Sequence, residues 1–529
     1  MKNIPHSKRV WNSEEIWQEV IETMPIPSKP LFRDHCFLLD IDKEIAQVGV
    51  RSKKILSFVK KRQKELERTL EKVTGEPLKV NFQVSDPVEP HQKLQAHIKR
   101  ETGSDLTDGQ AIALQSIFDF LESTKRTFCL TGFAGTGKTF MTQLVLQYCD
   151  EQKLKVALGS PTNKAAKVLS QITGEDAVTI AKMLGIRPKI DKSTGKEIYA
   201  QDPEATAVDI EDYDLVILDE ASMISSELLE ILSQEFTLLG PKFLFLGDPA
   251  QLPPVGEKKS VVFDEISEQA HLNEVVRYSG AILNWATALR SQTKVAPVSR
   301  FCDSQTLIVK DDADFAETLL SEFTSDGFQA DSDYCRVLAW TNASVARWNK
   351  RIRQAIFGRK APRFMPGERL IATGACTRRE VNLKNEYVEN VILPSSGEVE
   401  VLEAHTERGT IEYGNFQADI FDYWVINAQD EDGAIKNFRV LAQEEEERLK
   451  GMLKDYASRY EWDNYWGLKK AFHPLHYAYA LTVHRSQGST FQKVFLDLRN
   501  LLTNRKTHER NKLLYTAATR GSEQMIVLE

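Results

Sequence analysis

Residues Thr127 to Phe140 read TFCLTGFAGTGKTF, and this stretch decides the fold. Phe128–Thr131 is a run of apolar and β-favouring residues, so it predicts a short buried strand. Gly132-Phe133-Ala134-Gly135-Thr136-Gly137-Lys138-Thr139 then fits G-x-x-x-x-G-K-[ST]. Met141 to Tyr148 is rich in helix formers without a breaker, which predicts a helix straight after the loop. A phosphate cradle needs strand, loop and helix in that order. The glycines let backbone N–H groups turn inward around a triphosphate, and the helix N-terminus adds partial positive charge. Lys138 then serves the β- and γ-phosphates, and Thr139 serves Mg²⁺. The competing reading is a glycine-rich turn that binds nothing.

The pattern continues downstream as strand, helix, strand, helix. Lys155–Ser160 predicts a strand ending in PTNKAAKVL, Asp214–Leu218 one ending in DEAS, and Lys242–Leu246 one ending in GDPAQLPPVGE. Short β-rich runs separated by helices predict a parallel, doubly wound sheet. Ligand loops in such sheets lie at the carboxyl ends of the strands, where all of these motifs fall. Asp219 leaves a buried strand and is suited to Mg²⁺. Its neighbour Glu220 is suited to orienting and deprotonating a water. The bland alternative is that the two carboxylates cap a helix beginning near Ser222. Gln251 is a candidate γ-phosphate sensor on a loop stiffened by Pro253 and Pro254. Upstream, Gln110 in LTDGQAIALQSIFDFL carries an amide suited to an adenine edge.

The second half repeats this architecture without a second phosphate loop. Arg336–Trp340 predicts a buried strand followed by the helix TNASVARWNKRIRQAIFG, and Lys493–Leu498 and Gln524–Leu528 predict two more strands. A β-rich stretch from about 380 to 440 interrupts it. Its runs EVEVLEAH, GTIEY, DIFDYWVI and IKNFRVL, with a turn at Asp430–Gly433, predict a small antiparallel barrel. Gln443–Lys470 reads as a charged helical segment whose aromatics (Tyr456, Tyr460, Trp462, Tyr465, Trp466) suit a core better than base stacking. In the first half, Lys189-Ile190 and Ile198-Tyr199 flank DKSTGKE and predict a hairpin inserted at about 186–210.

The first 88 residues read as a separate α+β domain. It has a helix from Ser13 to about Met24 ended by Pro25, Pro27 and Pro30, strands at Cys36–Leu39 and Ala46–Val50, one long helix over Ser52–Val73, and a strand at Leu78–Val84. Residues 89–104 read as a linker. Lobe 1 is then assigned to 105–280 and lobe 2 to 281–529, with the β-barrel and helical insertion at about 380–470.

The chain has 529 residues and a formal net charge of -8. A nucleic-acid binder often carries a basic balance, so any such surface here must be a local groove. The six cysteines are scattered without metal spacing, which predicts free thiols and a reducing compartment. No apolar run is long enough to cross a bilayer and the first residues lack a signal core, so the expected location is cytoplasmic, without a membrane partner.

Seven motifs now stand in order: GFAGTGKT, PTNKAAKVL, DEASM, GDPAQLPPVGE, EVVRYSG, ALTVHRSQGSTF and LLYTAATRG. As a set they resemble superfamily 1 helicases of the Dda/RecD-like branch, over roughly residues 100–529. The resemblance implies two RecA-like lobes with ATP and Mg²⁺ between them. It assigns Gln110 to adenine, Gly132 to Thr139 to phosphates, and Thr139 and Asp219 to the metal. Glu220 becomes the catalytic base and Gln251 the coupling residue. Arg277 and Arg520 become cations approaching the γ-phosphate from the cleft, where they neutralise charge spread over the equatorial oxygens. Gln487 and Gly488 are assigned to the turn toward the nucleotide. DNA contacts fall to Pro161, Thr162, Asn163, Lys164, Thr179, Thr341, Asn342, Thr482, His484 and Ser486, which are mostly neutral donors suited to phosphates and sugars. Ala181 stands where many relatives carry His. The hairpin takes the place of the strand-separating pin.

The implied activity is ATP-dependent 5′→3′ translocation on single-stranded DNA by a monomeric motor that unwinds forked DNA. Two alternatives remain at this point. One is a DNA-stimulated ATPase that remodels protein–DNA complexes with little unwinding. The other is a replisome adaptor whose motor only regulates. The N-terminal segment resembles the KH-like C-terminal domain of bacterial DNA polymerase III tau/gamma subunits, which implies contacts with replication or repair proteins.

Overall fold

A computed structural model describes residues 13–529, apart from 43, 85–93, 96–97, 101, 104, 191–193, 195–196, 202–208, 238–239, 276–279, 292–296, 304, 332, 382–386 and 415. The chain divides into two compact units, residues 1–115 and 116–529. Among the described residues, no helix is long and apolar enough to cross a membrane.

The first unit is built on a three-stranded sheet of β1 (Cys36–Asp42), β2 (Ile45–Val50) and β3 (Lys79–Val84), in the order β1-β2-β3. β1 and β2 are antiparallel, and β2 and β3 are parallel. Helix Ser13–Thr23 buries Val20, with Ile16, Trp17 and Ile21, against this sheet. After its proline stop, Pro30 opens a further helix, Lys29–His35, because proline suits a first helical turn. The long helix expected over 52–73 is two helices, Lys53–Lys60 and Gln63–Thr74. The break falls where a contact distant in sequence meets the chain. Arg62 turns its guanidinium to the buried hydroxyl of Ser28 and to Glu65, while Val59 and Leu66 on either side both reach the core.

The second unit holds two parallel sheets. The first runs β11-β4-β10-β9-β5-β6, with β4 at Thr127–Gly132, β5 at Val156–Ser160, β6 at Ala177–Thr179, β9 at Leu215–Leu218, β10 at Lys242–Gly247 and β11 at Gln269–Leu272. Every pairing in it is parallel. β4 lies between β10 and β11, so the chain switches side across the phosphate loop, where ligands bind in such sheets. β7 (Ile186–Ile190) and β8 (Glu197–Gln201) form the inserted antiparallel hairpin, whose tip lies partly outside the described residues.

The second sheet runs β12-β23-β22-β13-β21 and is also wholly parallel. Its strands are β12 (Leu307–Lys310), β13 (Cys335–Ala339), β21 (Ala480–Thr482), β22 (Phe491–Asp497) and β23 (Gly521–Leu528). These are two RecA-like α/β lobes. Trp285, Leu338, Phe491 and Tyr515 pack in one cluster with Leu252 of the first lobe, so the core crosses between the lobes.

The insertion in lobe 2 is a five-stranded antiparallel sheet in the order β19-β18-β17-β14-β20. These strands are β14 (Arg369–Ala372), β17 (Glu398–Tyr413), β18 (Phe416–Asp430), β19 (Ile435–Leu441) and β20 (Leu475–Tyr477). A separate hairpin joins β15 (Cys376–Val381) to β16 (Tyr387–Leu393). EVEVLEAH and GTIEY, which read as separate runs, are one strand, because β18 pairs along the whole length and a bulge after Thr410 absorbs the irregularity. The charged segment divides into helices Glu446–Ser458 and Trp462–Ala471 at Tyr460, which has φ 59°. Tyr456 and Trp466 are packed against the body, while Tyr460 is 76% exposed.

Candidate nucleotide cleft and nucleic-acid face

The phosphate loop joins β4 to helix Lys138–Glu151, which starts at the lysine itself. Gly135 and Gly137 have φ 81° and 88°, the left-handed region that glycine enters without strain. A side chain on Gly132 would stand 2.9 Å from Leu272 Cβ, so only glycine lets the chain turn there. Lys138 Nζ donates to the carbonyls of Gly132 and Phe133, at 2.7 and 3.2 Å, and so lies along the loop it serves. Thr136 closes the loop with its hydroxyl on Phe133 O.

Asp219 and Glu220 follow β9 without a break. Asp219 Oδ1 accepts from the Glu220 N–H at 2.8 Å. Burial, and then the Glu220 carboxylate, push the Asp219 carboxyl up to about 6, against the opposing pull of that N–H and of Lys138. Glu220 has φ 55°, an uncommon conformation for a side-chain-bearing residue and one that concentrates at functional sites. It therefore does not cap an α-helix. A 3₁₀ turn at Ala221–Met223 comes first, and the α-helix begins at Ser226.

Gln251 is 4% exposed, and its Oε1 is buried without a hydrogen-bond partner among the described residues. The hydroxyls of Ser160 and Ser222 are orphaned in the same way. Ser160 is the last residue of β5, and Gln251 and Ser222 follow the carboxyl ends of β10 and β9. Buried polar atoms are nearly always paired, and these three lie at the carboxyl ends of neighbouring strands.

Arg520 is 5% exposed, and its donors go to lobe 2 itself. Nε donates to Thr516 O, Nη1 to Ser489 O and Nη2 to Thr519 Oγ1, at 3.1, 3.2 and 3.0 Å. Those contacts hold the guanidinium inside its own lobe instead of directing it at the loop. Arg277 lies outside the described residues. Gln110 belongs to the first unit. There its Oε1 accepts from the Thr107 N–H while Thr107 Oγ1 accepts from the Gln110 N–H, a reciprocal capping box.

Gln487 and Gly488, expected to turn toward the nucleotide, meet other parts of lobe 1. Gln487 Nε2 donates to Leu252 O at 3.1 Å. Gly488, with φ 75°, approaches so closely that an added Cβ would stand 2.9 Å from Ala165 Cβ.

The candidate DNA residues share a structural signature. Thr162, Thr179 and Thr341 are N-caps whose hydroxyls accept from Ala165, Lys182 and Ser344 N–H groups. The helices they start are Asn163–Thr173, Ile180–Met183 and Asn342–Phe357. Pro161 is half-buried beside Thr162, and Asn163 and Asn342 are exposed on those first turns, where the helix N-terminus favours phosphate. Asn500 fixes Thr341 by accepting from the Trp340 and Thr341 N–H groups and donating to the Thr341 hydroxyl.

Lys164 is tied down. Its Nζ stands 3.0 Å from Asp333 and 3.9 Å from Glu398, and lies over the Phe491 ring. Burial alone would raise the Asp333 carboxyl, but Lys164 and then Arg336 outweigh it and hold it below its ordinary value. Ser486 is fully buried with its hydroxyl on Val483 O, so it braces the turn from inside. Thr482 is 8% exposed and accepts from the Arg485 N–H. His484 is half-buried, and burial lowers its pKa.

Motif reading left two residues without a role. Asp248 Oδ2 accepts from the Ala134 N–H of the phosphate loop and from the Tyr515 hydroxyl of lobe 2, at 2.9 and 2.7 Å. Both residues stood inside quoted motifs, and no spacing rule joins positions so far apart in the chain.

The chain is similar to several known proteins. Residues 105–309 match the family model described as AAA domain, 477–528 the UvrD-like helicase C-terminal domain, and 4–84 the STICHEL, DnaA_N-like alpha-beta domain. The chain is 25% identical over 454 residues to the ATP-dependent DNA helicase dda of Enterobacteria phage T4, covering 79% of this chain and 98% of that protein. An uncharacterised protein of Acanthamoeba polyphaga mimivirus is also 25% identical, over 497 residues, with the same two coverages. A solved structure of two Pif1 helicases coordinating at forked double-stranded DNA matches at 16% identity and a TM-score of 0.43, covering 80% of this chain and 92% of that one. With its seven ordered motifs and these matches, the chain is similar to superfamily 1 helicases of the Dda/RecD-like type. For the N-terminal unit, the match is to the DnaA_N-like description.

Proposed function

We propose that this protein is an ATP-dependent DNA helicase that moves 5′→3′ along single-stranded DNA and opens forked duplexes. The observation that carries the reading is the joining of the two lobes at the phosphate loop, through Tyr515, Asp248 and Ala134. Nucleotide chemistry at the loop is thereby connected to the relative position of two lobes that each carry candidate DNA contacts. The 5′→3′ direction rests on the resemblance to the Dda/RecD-like branch.

In this reading Lys138 and the loop N–H groups hold the triphosphate. Glu220 takes a proton from the attacking water, and Arg520 neutralises developing charge after leaving its lobe 2 carbonyls. Gln251 carries the state of the γ-phosphate to lobe 2 through its unpaired Oε1. Magnesium is the metal this donor set fits. Thr139 offers a hydroxyl, and Asp219 a carboxyl whose charged form burial disfavours and a cation would restore. Bound there, it would shield the phosphate oxygens. The N-terminal unit is proposed to contact replication or repair proteins.

ATP hydrolysis measured with and without single-stranded DNA tests the reading. Stimulation by DNA is expected in the wild type. Glu220→Gln should lose on the order of a hundredfold or more of the stimulated rate while keeping DNA binding. A Glu220→Gln protein with wild-type turnover would defeat the site assignment.

A further inference from the structure

We infer that Tyr515 and Asp248 are positioning residues that make the geometry of the phosphate loop depend on where lobe 2 stands. This rests on ATP hydrolysis at that loop and adds residues to which no role has been assigned. Tyr515 lies on helix Thr507–Ala518 and is 2% exposed, and Asp248 follows β10 and is fully buried. A buried carboxylate is costly unless it is satisfied. Asp248 is satisfied on both oxygens: Oδ1 accepts from the Ala250 N–H at 2.9 Å, and Oδ2 accepts from Ala134 N–H and the Tyr515 hydroxyl. The Ala134 N–H also reaches the Tyr515 oxygen at 3.2 Å. One triangle of hydrogen bonds thus contains a loop amide, a lobe 1 carboxylate and a lobe 2 hydroxyl.

The neighbouring contacts make the triangle directional. Lys512 Nζ, one turn earlier on the same helix, donates to Pro249 O, and the Thr516 hydroxyl accepts from the Leu252 N–H. The helix therefore meets the Asp248–Leu252 loop at three points, and its Thr516 carbonyl anchors Arg520. From lobe 2 as well, the Arg290 guanidinium lies 3.5 Å above the centroid of Phe133, the residue before Ala134. Lobe 2 thus grips the front of the phosphate loop through two adjacent residues. A shift of the Thr507–Ala518 helix moves Tyr515 and Arg520 together, so loop geometry and arginine position change in one motion.

The test compares Tyr515→Phe, Asp248→Asn and the double variant in DNA-stimulated ATP hydrolysis. Phenylalanine keeps the buried ring and removes one hydroxyl. A hydrogen bond to a charged group supports an expected loss on the order of tenfold in kcat. KM for ATP should move far less, because the effect is on the closed arrangement and not on ground-state binding. The double variant should lose no more than the worse single one, because both act through the same bonds. Wild-type kcat in Tyr515→Phe would overturn the inference. So would losses that multiply in the double variant, or a loss appearing in KM alone. If Asp248→Asn fails to fold, Tyr515→Phe decides the question by itself. A wild-type protein without ATPase activity would overturn the ATPase reading and this inference together. An active wild type with an unaffected Tyr515→Phe overturns only the coupling.

Discussion

The nucleotide cleft and the candidate DNA face are built differently. In the cleft, side chains are held by hydrogen bonds that serve no local secondary structure: Lys138 on Gly132 O, Asp248 on Ala134 N–H, Arg520 on the Thr516 and Ser489 carbonyls. On the DNA face, Thr162, Thr179 and Thr341 each start a helix, and Lys164 belongs to an ion-pair cluster with Asp333 and Glu398. The cleft thus holds these side chains apart from helix and strand pairing. The candidate DNA face borrows groups that folding already uses, so its variants should mix binding and stability effects.

The largest expected effect is in the cleft. Arg520→Ala should lower DNA-stimulated turnover on the order of a thousandfold, with nucleotide affinity changing much less. A small loss there would mean that the guanidinium stays on its lobe 2 carbonyls throughout the cycle. Next comes the junction of the two regions. Gly488→Ala needs a left-handed backbone and pushes Cβ into Ala165, so stimulated turnover should fall about tenfold through lost lobe approach. Unchanged turnover would show that this approach is dispensable.

Thr341→Ala tests the mixed character of the DNA face. Losing an N-cap costs about 1 kcal/mol of stability, and single-stranded DNA affinity should fall several-fold in the same protein. Loss of affinity without loss of stability would break the contrast with the cleft.

The smallest effect concerns the inserted sheet. Burial depresses His473 to about 4, while its Nδ1 accepts from the Arg439 N–H and its other ring nitrogen meets Thr377 O. The unfolded chain therefore binds one more proton between about pH 4 and the ordinary histidine range. Stability gained from this neutral ring is present above that range and is lost as pH falls through it. Denaturation midpoints of His473→Gln should fall less steeply over that window than those of the wild type.

How legible these regions were follows from the same contrast. The cleft motifs are local strings on strand ends, so Gly132–Thr139 and Asp219-Glu220 could be read directly. The triangle of Ala134, Asp248 and Tyr515 could not, because its members meet only when the two lobes fold together. Ser486 and Lys164 read as DNA contacts by motif position, yet packing puts one inside a turn and the other in an ion-pair cluster. Parallel strands were legible because they are short apolar runs between helices. The single strand Glu398–Tyr413 was not, because its continuity depends on a partner strand and a bulge. The split of the 52–73 helix depends on Ser28, far away in sequence.

The central claim is a motor that couples ATP hydrolysis at Gly132–Thr139 to movement along one DNA strand. Unwinding of forked substrates bearing only a 5′ or only a 3′ single-stranded tail, with ATP, tests it most directly. Strand separation is expected from the 5′-tailed substrate, and should disappear in Lys138→Ala while DNA binding remains. Separation only from the 3′ tail, or in the Lys138→Ala protein, would contradict the account.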